Sequence, residues 1–451
     1  MTAPLARGRS VMNDAIAEPL TPPGAIQEAA KAWLPSKGYR WAVSLTLMLV
    51  YALNQLDRQI INILLQPIKQ DFSLTDAQAG LLAGLAFALF YTTLGIPLAR
   101  WADRGNRVNI IALAVMVWSG MTALCGMATS FAQLLLARIG VGIGEAGCSP
   151  PSHSLLADYY PPAERSRGLA IFALGTPLGS SLGVLIGGII NHYYGWRVAF
   201  LAVGLPGVLM ALVTWLLVKE PRRLGIASVG APPPAPFKAV MGKLLATRSF
   251  VHICLAVTIF CLSAYSIAVW GASFQMRAYG VNTAVLGPAT ALMGLVAGLL
   301  GIGLGGWLGD KLGARDRRWL VWIPAIALLI GIPFSLMSLF APTWQLSLIG
   351  FIVPLAALYI YSGPVFGLIQ TLMPPNMRAM AVSIFLLVTN LIGMGAGPVV
   401  TGVVSDLFGG GSSADGLRFA LAITLIFNAW GALHFWLASR SLQRDLTPAA
   451  P

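Results

Sequence analysis

The chain is 451 residues long, 57% hydrophobic and only 10% charged, with a mean hydropathy of +0.76. A soluble domain carries roughly 25% charged residues, so a water-covered globule is excluded and most of this chain belongs in lipid. The formal net charge of +13 would suggest nucleic acid in a soluble protein; here the positive charges first have to be sorted by position.

Residues 1–39 are rich in Pro and Ala and have no apolar core, which reads as a mostly disordered tail and neither a signal peptide nor a span. Beyond them, a window of about 20 apolar residues predicts twelve spans. The first six cover approximately 40–66, 78–99, 108–128, 132–157, 168–190 and 198–218. The second six cover 250–274, 284–308, 319–340, 344–370, 380–404 and 417–438. Between the sets, residues 219–249 contain the run Ala231-Pro-Pro-Pro-Ala-Pro236, a linker, and 439–451 form a second tail. The expected fold is therefore all-α: twelve transmembrane helices in two six-helix bundles, 40–218 and 250–438.

An even number of spans puts both termini on one side. That side holds 23 of the 29 Lys and Arg residues, the other holds four (Lys69, Arg197, Arg277, Arg418), and two lie within spans. By the positive-inside rule both termini are expected in the cytoplasm, so most of the charge sets orientation and none of it calls for nucleic acid. The four cysteines fall in spans without metal-ligand spacing and read as packing residues. No Asn-x-Ser/Thr site occurs, which leans towards a bacterial inner membrane. No nucleotide-binding loop is present, which argues against an ATP-driven pump or an enzyme.

The halves repeat one another. Pro161-Pro162-Ala-Glu-Arg165 and Ile171-Phe172 match Pro374-Pro375-Asn-Met-Arg378 and Ile384-Phe385 at a constant offset of 213. Asp103-Arg104-Gly-Asn-Arg107 after span 2 pairs with Gly306-Trp-Leu-Gly309-Asp310-Lys311-Leu-Gly313-Ala-Arg315 after span 8. The second of these resembles the major facilitator superfamily signature Gly-x-x-Gly/Ala-Asp-Arg/Lys-x-Gly-x-Arg; the first departs from it at Ala99 and Asn106. The resemblance implies two pseudo-symmetric bundles around a cavity that opens alternately to either side. A cytoplasmic gate is expected to draw on Asp103, Arg104, Arg107, Arg165, Asp310, Lys311, Arg315 and Arg378. In it, Asp103 would hold the start of span 11 near Arg378, and Asp310 the start of span 5 near Arg165, through helix N-termini.

Four ionisable residues sit well inside spans: Asp57 and Arg58 on span 1, Arg138 and Glu145 on span 4. A charge at the helix centre costs about 2.5–3.5 kcal/mol on insertion scales, so the group needs mutual pairing or a wet cavity. A rise of 1.5 Å per residue places Asp57 about 6 Å and Arg138 about 10 Å outside the midplane, compatible heights, with Glu145 near the midplane. Adjacent Asp57 and Arg58 point about 100° apart and must each look to another helix. A carboxylate that loses an Arg partner or its water takes up a proton, so Asp57 and Glu145, oriented by Arg138 and Arg58, are the proton-site candidates; the plainer alternative is a permanent ion pair locking span 1 to span 4.

The strings Asn54-x-x-Asp57-Arg58 and Arg138-x-x-x-Gly142-x-Gly144-Glu145-Ala146, with Arg165-Ser-Arg167, resemble the Spinster branch of the superfamily. This likeness implies proton-linked transport of amphiphilic lipids, of the lysophospholipid or sphingosine-1-phosphate kind, by a chain needing no bound cofactor beyond a proton gradient and expected to act as a monomer. Asn54, Arg58, Phe87, Tyr91, Thr176, Ser263, Trp270 and Tyr359 are the substrate-contact candidates, aromatic rings supplying the wall an acyl chain needs. A small organic-anion symporter or drug exporter is the alternative within the superfamily, and a passive lipid scramblase the alternative outside it.

Overall fold

The structure, a computed structural model, describes residues 35–161, 164–221, 235–409 and 413–446. The expected tail up to residue 34, the Pro-rich part of the linker and the last five residues lie outside it. All regular structure among the described residues is helical, and ten helical stretches are long and apolar enough to cross a membrane. Two more passes complete the set. Lys37–Asp71, 35 residues long, is span 1, its hydropathy diluted by the charges and amides it carries inward. Gly175–Leu217, 43 residues, would be about 65 Å long if straight, twice the hydrocarbon thickness. It reverses at Gly195, whose φ of 84° and ψ of 165° are open essentially to glycine alone.

Twelve passes result. Spans 1 to 3 are Lys37–Asp71, Asp76–Ala83 with Leu85–Arg104, and Arg107–Met127; span 4 is Phe131–Glu145 with Ser149–Tyr159. Span 5 is Arg165–Ala173 with residues 175–194, and span 6 is 196–217. Spans 7 to 9 are Arg248–Tyr279, Thr283–Gly313 and Trp319–Leu339; span 10 is Trp344–Ile360 with Ser362–Leu372. Span 11 joins Arg378–Thr389 to Gly395–Gly409 through a π-helical turn, Asn390–Met394, and span 12 is Ala414–Thr424 with Ile426–Leu446. Many starts are fixed by side chains that accept the first free N–H groups, as Ser36, Thr75, Asn106, Ser130, Asn282, Thr343 and Ser413 do. Span 4 breaks after Glu145 because Pro150 and Pro151 have no N–H to offer the preceding turn.

Two boundaries differ from the sequence-based expectation. The end of the linker folds as a helix, Phe237–Ala246, which buries Val240 and Leu244, residues four apart on one face. Span 12 continues as helix to Leu446, and Asp445 accepts the Ser249 backbone N–H at 2.8 Å, capping span 7.

The halves meet at the end remote from the chain termini, here the far end, and part at the terminal end. One apolar core runs from the N-terminal half into Val269, Trp270, Phe274, Leu286, Leu348 and Leu417 of the other half. A second is confined to the C-terminal half, around Val240, Ile253, Phe260, Leu368, Phe385 and Phe435. At the far end span 2 lies on span 11 so closely that a Cβ on Gly80 would sit 2.4 Å from the Pro398 carbonyl oxygen. Span 5 meets span 8 equally closely, Asn191 donating to Thr283 Oγ1 at 3.0 Å.

An ionic lock closes this end. The Asp76 carboxylate, fully buried, accepts from Lys69 Nζ at 2.6 Å, from Arg277 Nη2 at 2.6 Å and Nη1 at 2.8 Å, and from Ser405 Oγ at 2.7 Å. Arg277 also donates to Gln66 Oε1 at 2.8 Å, and Asp406 accepts the Asp76 and Ala77 backbone N–H groups at 2.9 and 2.8 Å, capping span 2. Spans 1 and 2 of one half are thereby tied to 7 and 11 of the other.

The expected gate is not assembled at the terminal end. Arg378 donates to the Met373 carbonyl at 3.1 Å and Arg165 to the Ala157 carbonyl at 2.9 Å, both within their own halves, while Asp310, Lys311 and Arg315 are exposed. The side chains of Asp103 and Arg104 lie outside the described residues. Arg107 has a different role: fully buried, it pairs with Asp158 Oδ2 at 2.7 Å and takes Glu220 Oε2 on its backbone N–H at 2.7 Å. It clamps spans 3 and 4 to the end of span 6 within one half.

Gly195→Val forces a branched side chain into a backbone state worth about 1–3 kcal/mol of strain, and a lower thermal midpoint of the purified protein than wild type checks it. Asp76→Asn leaves Arg277 and Lys69 buried without their counter-ion, a loss of about 3–5 kcal/mol; spin labels at Tyr193 and Val285, exposed positions on spans 5 and 8, are expected to move apart.

Candidate functional site

Span 1 presents Asn54 and Arg58 on one face, four residues apart, with Asp57 turned aside. Span 4 is brought against spans 2 and 3 by glycines: a Cβ on Gly142 would meet the Phe87 carbonyl oxygen at 2.8 Å, and one on Gly144 the Trp118 nitrogen at 2.6 Å. Arg138 and Glu145 consequently enter the space enclosed by spans 1 to 4.

There Arg58 Nε donates to Glu145 Oε2 at 2.6 Å, with the Glu145 side chain wholly buried and that of Arg58 21% exposed. The guanidinium lies 4.2 Å from the Tyr91 ring centre and 5.1 Å from that of Phe87, and these two rings stack at 5.3 Å. Arg138 also approaches the Phe87 ring, at 5.5 Å. Cation–π contact of this kind strengthens as water is removed, so the aromatic pair carries part of the charge burial.

The height estimate puts Asp57 and Arg138 at compatible depths, yet they form no ion pair; the pair is Arg58 with Glu145. Rise per residue sets height alone, and the face of span 1 turned to Glu145 is the one that carries Asn54 and Arg58. Asp57 is buried within electrostatic reach of Glu145, Arg138 and Thr122, and its Oδ1 has no hydrogen-bond partner. Arg138 Nε and Nη1 and Glu145 Oε1 are likewise buried without partners, while Asn54 and Thr122 stand beside the Glu145 and Asp57 carboxylates as near donors. Such unspent capacity in a dry interior is costly. The cluster therefore has acceptor positions open to a proton or water, and one accessible cation, Arg58, whose counter-ion lies beneath it.

The remaining substrate-contact candidates divide. Tyr91, Thr176 and Tyr359 are half-buried, Thr176 close to Tyr51, which stacks on Phe172 at 4.5 Å. Trp270 is fully buried and donates Nε1–H to the Pro398 carbonyl at 2.9 Å, a strut between spans 7 and 11. Ser263 is buried, 3.4 Å from Thr424 Oγ1, and Phe87 and Asn54 are buried at the ion pair. Trp270, Phe87 and Asn54 are thus packed inside in this conformation, and Ser263 borders a small pocket with Phe260 and Asn428.

Sequence reasoning missed two features. Lys69 and Arg277 were read as loop charges that merely set orientation, and no local pattern links them to Asp76 and Asp406. The polar pair Tyr265 and Asn390, in which Tyr265 Oη donates to Asn390 Oδ1 at 3.3 Å, is uncharged and so escaped a search for charges; the run Asn390-Leu-Ile-Gly-Met hints at the irregular turn only through its glycine. Among the described residues no cluster of metal ligands occurs.

The family profile of the Major Facilitator Superfamily matches residues 47–398. An MFS-type efflux pump of Mycolicibacterium smegmatis is 33% identical over 413 residues, 91% of this chain and 95% of that protein. Protein spinster homolog 1 of Rattus norvegicus is 27% identical over 444 residues, 91% of this chain and 82% of the relative. The crystal structure of a bacterial homologue of the human lysosomal transporter Spinster, inward-facing and unoccupied, superposes with a TM-score of 0.84 at 34% identity, covering 92% of this chain and all of the other. The twelve-span fold, its paired halves and these relatives together identify the chain as a membrane transporter, and no enzyme, of the major facilitator superfamily, related to Spinster.

Proposed function

We propose that this transporter carries amphiphilic anions, lipids of the lysophospholipid or sphingosine-phosphate kind, in a cycle linked to protons. The observation that carries the reading is the Arg58–Glu145 pair: a partly exposed guanidinium held at 2.6 Å by a wholly buried carboxylate. An anionic headgroup arriving at Arg58 competes with Glu145 for the same cation. Glu145 then has no counter-ion in an apolar interior and takes up a proton, as a desolvated carboxylate must. Asp57, buried beside Arg138 with an unmatched oxygen, is the second proton carrier. Substrate and proton are coupled through one shared cation.

By the distribution of Lys and Arg the terminal end faces the cytoplasm, of a bacterial inner membrane. With the far end locked, the conformation then corresponds to the inward-facing one of the Spinster homologue. The identity to an efflux pump favours a second reading, export of an amphiphilic drug or organic anion, through the same site.

Reconstitution in liposomes with labelled lysophosphatidic acid, a sugar phosphate and a cationic dye, each with and without a pH gradient, tests this. Lipid flux driven by the gradient is expected, with Glu145→Gln and Asp57→Asn losing the drive and Arg58→Ala losing uptake by about tenfold or more, the effect of removing a charged hydrogen bond. Movement of the sugar phosphate alone would defeat the lipid assignment, dye transport alone would favour the exporter, and gradient-independent lipid flux in both wild type and Asp57→Asn would indicate a scramblase.

A further inference from the structure

The C-terminal half places no charge opposite Arg58, yet it offers a built polar feature at that level. Tyr265 of span 7 lies within electrostatic reach of Arg58 and Tyr91. Its hydroxyl donates to Asn390 Oδ1 at 3.3 Å, which fixes the amide so that its N–H groups point elsewhere. Those two donors have no hydrogen-bond partner among the described residues, and Asn390 is only half-buried. Asn390 opens the π-helical turn Asn390–Met394, a geometry that inserts an extra residue into a helix and recurs at functional sites.

The position of this turn explains its shape. One residue before its end, a Cβ on Gly393 would lie 2.4 Å from Cys261 Cβ, and the Met394 carbonyl oxygen lies 2.9 Å from where a Cβ on Gly84 would be. Beyond that level spans 2, 7 and 11 are zipped together up to the Asp76 lock. Asn390 is therefore the last polar residue of span 11 before the halves close, and Tyr91, on the span 2 face below Gly84, lies over Arg58.

We propose that Asn390, oriented by Tyr265, is the second half of the substrate's headgroup site: its amide N–H groups take an oxyanion of the amphiphile whose other oxygen is held by Arg58. This rests on the reading of Arg58 as the anion site and adds what the other half contributes. An oxyanion bridging a residue of each half makes occupancy felt by both, and it seats the anion at the foot of the zipper, where a small rotation of span 11 through its π turn moves the far end. An uncharged donor suits this place. A second cation would hold the anion too tightly for release, and a carboxylate would repel it.

Binding of dodecyl phosphate and of dodecyltrimethylammonium to the full-length protein in nanodiscs, followed by calorimetry, tests the assignment. Asn390→Ala is expected to weaken dodecyl phosphate by about threefold to tenfold, the worth of a neutral hydrogen bond or two. Asn390→Asp is expected to weaken it further, by like-charge repulsion, while leaving the cationic amphiphile unweakened. Tyr265→Phe, which frees the amide without removing it, is expected to give a smaller loss. Unchanged dodecyl phosphate affinity in both Asn390 variants, with loss in Arg58→Ala, would overturn the bridge and leave the anion site standing. Unchanged affinity in Arg58→Ala would remove the anion site itself. Variants are compared only where their thermal midpoints match wild type, and Tyr265→Phe, which keeps every buried contact but one hydroxyl, serves if Asn390→Asp fails to fold.

Discussion

A charge inside lipid has to be answered by another group, and this constraint organises the molecule. With about 2.5–3.5 kcal/mol at stake for each unanswered charge, three separate knots among the described residues join a buried carboxylate to a cation, while Asp57 and Arg138 stand buried beside the first of them without an ion pair. Arg58 with Glu145 lies at mid-membrane, Asp76 with Lys69 and Arg277 at the far end, and Arg107 with Glu220 and Asp158 at the terminal end. Each knot ties different elements. The last stays within the N-terminal half and clamps three of its spans, the second joins the halves, and the first stays within the N-terminal half at the cavity. Its two members both belong to one half, and its cation reaches the boundary between them. A knot whose cation is itself partly exposed, as Arg58 is and the buried Arg107, Arg277 and Lys69 are not, is the one an anionic ligand can untie.

Span 1 connects the first two knots. Arg58 and Lys69 are eleven residues apart on one helix, about 16 Å along its axis, and Gln66 on the same helix accepts from Arg277. A tilt or roll of span 1 that follows loss of the Arg58–Glu145 bond is delivered to the far-end lock without any chain of intermediate contacts. The physical basis is one continuous helix, interrupted only by Pro67, that carries a residue of each network. The glycine contacts of span 2 on 11 and of span 5 on 8 complete the picture. Because they bring backbone against backbone, they separate as surfaces and have no long side chains to disengage.

How much of this was legible beforehand follows from the range of each signal. Hydropathy and the 213-residue offset are properties of long stretches, and they set out the twelve spans and two halves. The intramembrane charges stood out because so few residues of their kind occur in spans, and the structure brings all four into one region. Their pairing was not legible. Helical rise gives depth, whereas azimuth depends on how Gly142 and Gly144 let span 4 settle on spans 2 and 3, a tertiary fact. The far-end lock was hidden for a related reason: Lys69 and Arg277 end helices as any loop cation does, and only the docking of two halves buries them. Trp270 shows the converse, an aromatic residue on a cavity-facing span that packing turned inward to reach the Pro398 carbonyl.

The two halves repeat one another in sequence but have divided their labour. The N-terminal half keeps the ions, and the C-terminal half, at the same depth, has a tyrosine, an asparagine and an irregular turn. Ions of both signs in both halves at this depth would pair across the cavity and hold it shut, since separating them leaves each charge without its counter-ion. Keeping the charges on one side lets the halves approach only through what lies between them, and neutral donors on the other side can hold an anion and let it go. The charge asymmetry seen first as four residues on two helices is thus what leaves the cavity free to open and close around its cargo.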